Sequence, residues 1–242
     1  MITSTSNARI SAVRKLHTAK GRKESARTIL EGPNGREALA ASDLRPTDIF
    51  LLEGDTETAA YAANLGIDAT VVTQDVLRSA SDTQQPLGPL FVIEVPEASA
   101  VRHHRTVCMV DVSDPGNVGT IIRTAAALGW DAATHGSTSD PWSPKALRAS
   151  AGATLRMHLA TSHDPIAEAA SAGLTCVALI VDGGDVLRGS TDPAFLLVGS
   201  EAHGLPDALA DAATMAATIP MAAGTESLNA AVAAAIAMHS LA

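Results

Sequence analysis

Aromatic residues are scarce in this chain. They make up 2% of its 242 residues, whereas hydrophobic residues as a whole make up 46%. A chain of this length and hydrophobicity can bury a sizeable core and can form one large domain or two modest ones. We therefore expect a core built from Ala, Val, Leu and Ile, with few large rings.

Cysteine and long apolar runs are also nearly absent. Only Cys108 and Cys176 are present, and each lies inside an apolar, strand-like run, which indicates two small buried hydrophobic residues in a reducing compartment. No apolar run approaches the roughly 18 residues of a membrane span, and residues 1–10 lack the apolar centre of a signal peptide. We predict a cytoplasmic protein without a membrane partner.

Several familiar catalytic motifs are missing. Residues 116–119 do not supply the G-x-G-x-x-G of a dinucleotide-binding loop, and no phosphate-binding Gly-Lys-Ser/Thr is present. Residues 199–202 lack the last glycine of a nucleophile elbow. His103 and His104 are adjacent but have no third ligand at a useful spacing, so we predict no metal site. A nucleotide-dependent oxidoreductase remains only a minor alternative.

The charge of the chain is unevenly distributed. Its net charge is −9, yet residues 1–36 carry eight basic side chains against Glu24 and Glu31, which is a local charge of +6. A basic end on an acidic protein favours a polyanionic partner, because Lys and Arg contacts to phosphates drive nucleic-acid binding. A solvated basic helix face is the alternative interpretation.

Predicted helices and strands alternate along the whole chain, which is typical of an α/β fold. We expect a small α/β domain over residues 1–96, which begins with a helix over 3–19, then a polar linker over 97–105 and a second α/β domain over 106–242. In the second domain, strands are predicted over 106–112, 132–134, 157–160, 174–181, 195–198 and 215–219, and helices over 117–128, 145–150, 165–172, 206–212 and 228–239. This alternation predicts a parallel sheet flanked by helices.

Three polar or glycine-rich loops follow predicted strands of the second domain, over residues 113–119, 199–206 and 220–227. Ligands of such sheets bind where loops leave the carboxyl ends of the strands. The first loop runs into a helix whose apolar stripe excludes Arg123, one turn after Gly119. A glycine at that spacing leaves room beside the arginine.

Three segments together resemble the SpoU/TrmH family of RNA ribose 2′-O-methyltransferases, within the SPOUT superfamily. The first carries the family's Asn-x-Gly-x-x-x-Arg as Asn117, Gly119 and Arg123. The second is the stretch over residues 196–205, and the third is Ile-Pro-Met at 219–221 followed by Glu-Ser-Leu-Asn at 226–229. All three occur in family order, each at a strand end or a strand-to-helix turn.

The resemblance implies a C-terminal SPOUT domain with a deep trefoil knot, a homodimer that completes the pocket, and S-adenosylmethionine as cofactor. It implies catalytic roles for Arg123, Asn117, Glu201 and Asn229. It implies cofactor contacts for Gly199, Ile219 and Leu228, with Met221 and Ser227 as neighbours. His203 departs from the small or acidic residues common in the second segment.

Arg123 corresponds to the family's catalytic arginine, for which a role as the base has been proposed. A guanidinium stays protonated at neutral pH, so holding a phosphate or polarising the hydroxyl is the physically safer role. The sequence leaves the two roles open.

The basic N-terminal region resembles the ribosomal-protein-like substrate-binding domain that often precedes this catalytic domain. With few aromatic residues for base stacking, recognition there would depend on charge and shape. The predicted RNA-binding residues are Arg9, Arg14, Lys20, Arg22 and Lys23, with Arg148 added from a family-like Arg-x-Ser-x-Gly at 148–152. The predicted function is 2′-O-methylation of a ribose in structured RNA, most of all 23S ribosomal RNA. Transfer RNA as substrate and a non-catalytic RNA-binding protein are the alternatives.

Overall fold

The computed structural model describes residues 1–83, 85–187, 193–222, 224 and 226–241. The chain divides into two compact units: the first comprises Met1–Pro96 and Trp142–Arg156, and the second comprises Glu97–Pro141 and Met157–Ala242. None of the described helices is long and apolar enough to cross a bilayer.

The first unit is built on a four-stranded sheet. Its strands are β1 (Arg27–Glu31), β2 (Pro46–Leu52), β3 (Thr70–Val72) and β4 (Leu90–Glu94). The order is β1-β4-β2-β3, in which β4 is antiparallel to both neighbours and β2 is parallel to β3. The helices before and between these strands are α1 (Ala8–Lys15), α2 (Ala19–Ser25), α3 (Gly32–Ala40), α4 (Thr56–Leu65) and α5 (Gln74–Ala80).

Both faces of this sheet are buried. Ile29 and Phe50 belong to one core cluster, whereas their chain neighbours Leu30 and Ile49 belong to another. Successive side chains of a strand point to opposite faces, so this alternation places apolar layers on both sides of the sheet. The unit is therefore a helix–sheet–helix sandwich.

The helix predicted within residues 3–19 is α1, and the structure adds a second helix, α2, that the sequence analysis did not predict. Asn7 caps α1 and Thr18 caps α2. A Cβ on Gly21 would lie 2.0 Å from the carbonyl oxygen of Lys15, so only glycine allows α2 to approach the end of α1 this closely. A capping threonine and a close glycine contact thus start α2, which apolar periodicity did not predict.

The segment over residues 142–156 packs in the first unit, although the linear division at residue 96 assigns it to the second domain. It contains α7 (Pro144–Ala149) and a short 3-10 helix (Ala153–Leu155). Leu147 and Leu155 join the core cluster of the first unit. This placement depends on contacts between residues far apart in the chain, which local periodicity does not report.

The second unit is a seven-stranded sheet with helices. Its strands are β5 (Thr106–Val110), β6 (Asp131–His135), β7 (Leu159–Thr161), β8 (Thr175–Leu179), β9 (Asp185–Val186), β10 (Ala194–Val198) and β11 (Met215–Thr218). Its helices are α6 (Pro115–Ala127), α8 (Pro165–Ser171), α9 (Asp207–Ala212) and α10 (Ala230–Ser240). The strand order is β7-β6-β5-β10-β8-β11-β9, and all pairs are parallel. The predicted α/β fold with a parallel sheet is confirmed.

The centre of this sheet is apolar on both faces. Every residue of β5 and β10 is buried, as expected for inner strands covered by helices on both sides. Cys108 and Cys176 are free and buried there, and burial raises the pKa of the Cys176 thiol to about 11. Both thiols therefore serve as small core side chains.

The polar stretch over residues 97–105 is part of the second unit and packs within it. Arg102 forms a bidentate ion pair with the buried Asp131, with nitrogen–oxygen distances of 2.6 and 2.9 Å. His103 contacts the carbonyl oxygen of Ala172 at 2.6 Å, and Ser99 bridges to Ala160. The stretch that we predicted as a linker is thus held by side-chain contacts.

Candidate active site

The switch point of the large sheet lies between β5 and β10. The chain leaves β5 for β6 on one side, whereas β10 lies on the other side. Loops that leave adjacent parallel strands in opposite directions open a crevice at the carboxyl edge of the sheet. The first two predicted loops follow these two strands.

The loop after β5 ends at a strongly capped helix start. Asp114 accepts hydrogen bonds from the backbone N–H groups of Gly116 at 2.5 Å and Asn117 at 3.1 Å, and Pro115 begins α6. Because Asp114 caps the helix, the side chain of Asn117 is available for other contacts.

The loop after β10 is a tight turn closed by backbone hydrogen bonds. Ser200 and Gly204 exchange two such bonds, of 3.1 and 2.9 Å. A Cβ on Gly199 would lie 2.1 Å from the carbonyl carbon of Gly204, so no other residue fits there without moving the backbone. This turn places Glu201 on its exposed side.

A chain of hydrogen bonds joins three of the predicted catalytic residues. Asn229 caps α10 through its side-chain oxygen, and its Nδ2 donates to Oδ1 of Asn117 at 3.1 Å. Asn117 Nδ2 in turn donates to a carboxylate oxygen of Glu201. The fold therefore brings these three residues together, although Glu201 lies 84 residues and Asn229 lies 112 residues after Asn117 in the sequence.

A cleft that is open to solvent lies beside this chain of hydrogen bonds. All five predicted cofactor-binding residues line it, together with Glu201: Gly199, Ile219, Met221, Ser227 and Leu228. The end of β8 adds Leu179, Ile180 and Val181, which the sequence analysis missed. Predicting these residues as part of the site would have required knowing that β8 pairs with β10. Strand order cannot be deduced from periodicity.

The lining of the cleft suits a nucleoside-like cofactor. Its walls are mostly aliphatic, and it lies at the carboxyl ends of β8, β10 and β11, where such sheets bind small molecules. Glu201 is the charged residue among the described lining residues, and an anion there favours a cationic ligand. The residues present thus fit a cofactor with an adenosine and a positively charged sulfur.

Arg123 lies outside this cluster. It is exposed on α6, between buried positions on the same helix, and it forms no hydrogen bond or ion pair with any residue that the structure describes. It does not line the cleft. Its catalytic role stays a prediction.

Arg22 is a correction among the predicted RNA-binding residues. Its side chain turns inward from α2, is 6% exposed, and donates to the carbonyl oxygens of Leu16 and His17 at 3.0 and 3.2 Å. A guanidinium that satisfies buried carbonyl groups within its own domain is not accessible to an RNA phosphate. The neighbouring Lys23 is exposed.

The other predicted RNA-binding residues lie at the surface with different partners. Arg9 pairs with Asp48 at 2.7 Å and covers the ring of Phe50. Arg14 donates to a serine hydroxyl, Lys20 is within 3.8 Å of Glu24, and Arg148 forms a bidentate ion pair with Asp82. Their roles in RNA binding stay predictions.

The parallel sheet and the cleft at its carboxyl edge define an α/β protein with a site for a nucleoside-like cofactor. Residues 104–239 match the SpoU rRNA Methylase family, and residues 7–90 match the MRM3-like substrate binding domain. The chain belongs to the SpoU rRNA methylase family. The predicted family and the prediction of an RNA methyltransferase are confirmed, and the oxidoreductase alternative is set aside.

Relatives match along nearly the whole chain. An uncharacterized tRNA/rRNA methyltransferase of Synechocystis sp. is 31% identical and is matched over 98% of this chain and 92% of its own length. The 23S rRNA (guanosine(2553)-2′-O)-methyltransferase RlmP of Bacillus subtilis is 28% identical, with 99% and 98% covered. The AdoMet-bound rRNA methyltransferase from Sinorhizobium meliloti shares the fold with a TM-score of 0.88 and 29% identity, over 99% of this chain and 95% of that chain.

Proposed function

We propose that this protein transfers the methyl group of S-adenosylmethionine to a ribose 2′-oxygen of ribosomal RNA. The observation that carries the proposal is the hydrogen-bonded chain of Asn117, Glu201 and Asn229 beside the cleft, in which Glu201 belongs to both. A polar cluster that can position a hydroxyl thus lies next to a pocket that can hold the methyl donor.

The relatives support this reaction and this substrate. The Bacillus subtilis relative is named for 2′-O-methylation of a guanosine in 23S rRNA, and the Sinorhizobium meliloti relative is an rRNA methyltransferase with bound AdoMet. The match to a substrate-binding domain over residues 7–90 supports a large structured RNA as substrate. Ribosomal RNA is therefore favoured over transfer RNA.

S-adenosylmethionine supplies an electrophilic methyl group on a sulfonium sulfur. The residues of this chain align the ribose and help to remove one proton, and alignment alone contributes about 7–11 kcal/mol to such reactions. Backbone groups of Gly199, Ile219 and Leu228 would hold the adenosine, with Met221 and Ser227 beside it. Glu201 is oriented by Asn117 and holds or accepts a hydroxyl proton.

Arg123 acts as a cation on the substrate. A protonated guanidinium makes bidentate hydrogen bonds to a phosphate or polarises the 2′-hydroxyl. Its exposed position, free of protein partners among the described residues, is consistent with that role.

We also propose that the active form is a homodimer. Val232 and Ile236 lie one turn apart on α10 and are 48% and 40% exposed. This helix packs on α6, which carries Arg123. A second copy that covers this apolar face would border the helix pair to which α6 belongs, which supports a site completed by the partner.

We further propose that residues 195–242 form the family's deep trefoil knot and that the protein is cytoplasmic. A ribosomal RNA substrate supports a cytoplasmic location.

The test is methyl transfer from radiolabelled S-adenosylmethionine to ribosomal RNA and transfer RNA taken from cells that lack the gene. Nucleoside digestion and mass spectrometry identify the product. We expect one 2′-O-methylated nucleoside in 23S rRNA. Label in transfer RNA alone would show that transfer RNA, and not ribosomal RNA, is the substrate. No label in either RNA would contradict the proposed activity.

A further inference from the structure

Three potential metal ligands from separate segments meet in the first unit. His17 lies between α1 and α2, Glu31 ends β1, and Asp82 follows α5. One ligand atom from each lies within 4.8 Å of the other two, and His17 Nδ1 is 3.9 Å from Oδ2 of Asp82. The three residues belong to the first unit, whereas the cleft is lined by residues of the second.

The ring of His17 is held with a nitrogen lone pair facing the carboxylates. Its Nε2 is 2.8 Å from the carbonyl oxygen of Ala80. A carbonyl oxygen only accepts, so Nε2 carries the hydrogen, and Nδ1 of the neutral ring is an acceptor. Nδ1 is buried and has no hydrogen-bond partner in the described part of the chain.

Glu31 presents a second buried acceptor. Its Oε2 accepts a hydrogen bond from the hydroxyl of Ser81 at 2.6 Å. Its Oε1 is buried and, like His17 Nδ1, lacks a hydrogen-bond partner among the described residues. A buried acceptor without a hydrogen-bond partner costs about 1–3 kcal/mol of folding free energy. Two such acceptors in one cluster therefore favour the binding of a cation.

Asp82 is oriented from outside the cluster. Arg148 donates to both of its oxygens, at 2.8 and 3.0 Å. Each carboxylate oxygen has two lone pairs, so this ion pair leaves an acceptor position on each.

We propose that His17, Glu31 and Asp82 bind one divalent transition-metal ion, with zinc as the first to test. An imidazole nitrogen and two carboxylate oxygens form a donor set that zinc and manganese accept. Metal ligands usually have outer hydrogen-bond partners that fix their orientation. Here the carbonyl of Ala80, the hydroxyl of Ser81 and the guanidinium of Arg148 fill that role.

The ion is structural. It ties the α1–α2 junction to the ends of β1 and α5 and, through Asp82 and Arg148, to α7. Zinc bonds of about 2.0–2.2 Å place adjacent ligand atoms about 3.4 Å apart in a tetrahedron, so small side-chain rotations close the site. Because the ion binds the folded protein, stability rises with metal concentration.

The test uses the full-length protein after treatment with a chelator and dialysis. Titration calorimetry with zinc chloride, and separately with manganese chloride, measures the stoichiometry and Kd, and thermal unfolding measures the change in Tm. We expect one ion per chain and a Tm that rises with zinc. His17→Gln and Glu31→Gln should each bind at least about 100-fold more weakly, and Ser81→Ala about 10-fold more weakly.

His158→Gln is the matched control, because His158 also contacts a backbone carbonyl at 2.8 Å through Nε2 but lies outside the cluster. It should retain wild-type affinity. Circular dichroism verifies that each variant is folded. If wild type takes up neither ion, a proton on Nδ1 is the cation and the proposal fails. It also fails if both cluster variants bind zinc as tightly as wild type.

Discussion

Asn117 illustrates how one side chain acquires its role from its neighbours. As the first polar residue of a helix after a strand, it could have been only a cap. Asp114 performs the capping, and Asn117 instead links Asn229 to Glu201. Motif residues that are far apart in the sequence thus form one hydrogen-bonded polar cluster.

Replacing Arg123 tests the catalytic machinery without disturbing the core, because the side chain is exposed. If Arg123 has its proposed role as a cation on the reacting group, Arg123→Ala should lower turnover by at least about 100-fold. Single-turnover methylation and calorimetric titration with S-adenosylmethionine measure both effects. Cofactor affinity should stay at the wild-type value, and near-normal turnover would remove Arg123 from the mechanism.

Gly199→Ala tests the turn after β10. The added methyl group would lie 2.1 Å from the backbone of Gly204, so the turn must open and the cleft must change shape. We expect cofactor affinity to fall at least about 10-fold. Gly54→Ala is the control: its φ is +87° and nothing lies within 4 Å, so it should cost about 1 kcal/mol of stability and leave cofactor binding intact. Equal cofactor affinity in Gly199→Ala would contradict the close approach.

At the scale of elements, helix α2 gives different roles to two neighbouring basic residues. Consecutive residues of this helix, Arg22 and Lys23, read as one basic patch. In the structure Arg22 holds the end of α1 and Lys23 faces outward. A helix turns by about 100° per residue, so neighbours need not share a face.

This pair makes a matched test. Arg22→Ala should lower the free energy of unfolding by about 2 kcal/mol, because it removes charged hydrogen bonds to buried carbonyl groups. Lys23→Ala should leave stability unchanged and weaken RNA binding instead. Urea unfolding and RNA filter binding measure the two effects. The assignment is wrong if Arg22→Ala unfolds like wild type.

The apolar face of α10 is the second test at this scale. The double substitution Val232→Asp with Ile236→Asp should turn the dimer into a monomer, because two charges would be buried in the proposed interface. Light scattering after gel filtration measures the mass. Leu87→Asp, at a side chain that is 83% exposed in the first unit, is the control and should leave the dimer intact. A wild-type monomer would overturn the proposed dimer.

For the whole molecule, the uneven charge sets how it meets RNA. The net charge is −9, yet residues 1–36 carry +6. An acidic body repels a polyanion, so productive binding requires the basic surface of the first unit.

RNA affinity should therefore depend steeply on salt. With about four phosphate contacts from exposed cations such as Arg14, Lys20 and Lys23, the affinity should fall about 100-fold between about 50 and 200 mM salt. Fluorescence anisotropy with a labelled rRNA fragment measures the slope. An affinity that does not change with salt would mean that these cations do not contact phosphates.

The sequence by itself determined the alternation of strands and helices, the three loops at strand ends and the residues of the family motifs. These features are local: periodicity, capping residues and turn glycines act within a few positions. Even so, periodicity did not predict α2, whose start depends on the cap Thr18 and on the close approach of Gly21 to Lys15.

Only the tertiary structure decided which distant residues became neighbours. It put the segment over residues 142–156 in the first unit, turned Arg22 inward and joined Asn117 to Glu201 and Asn229. It also brought His17, Glu31 and Asp82 together, at spacings that no ligand motif contains. Strand order and the packing of helices on sheets create these contacts, and they depend on the free energy of the whole folded chain rather than on any local pattern.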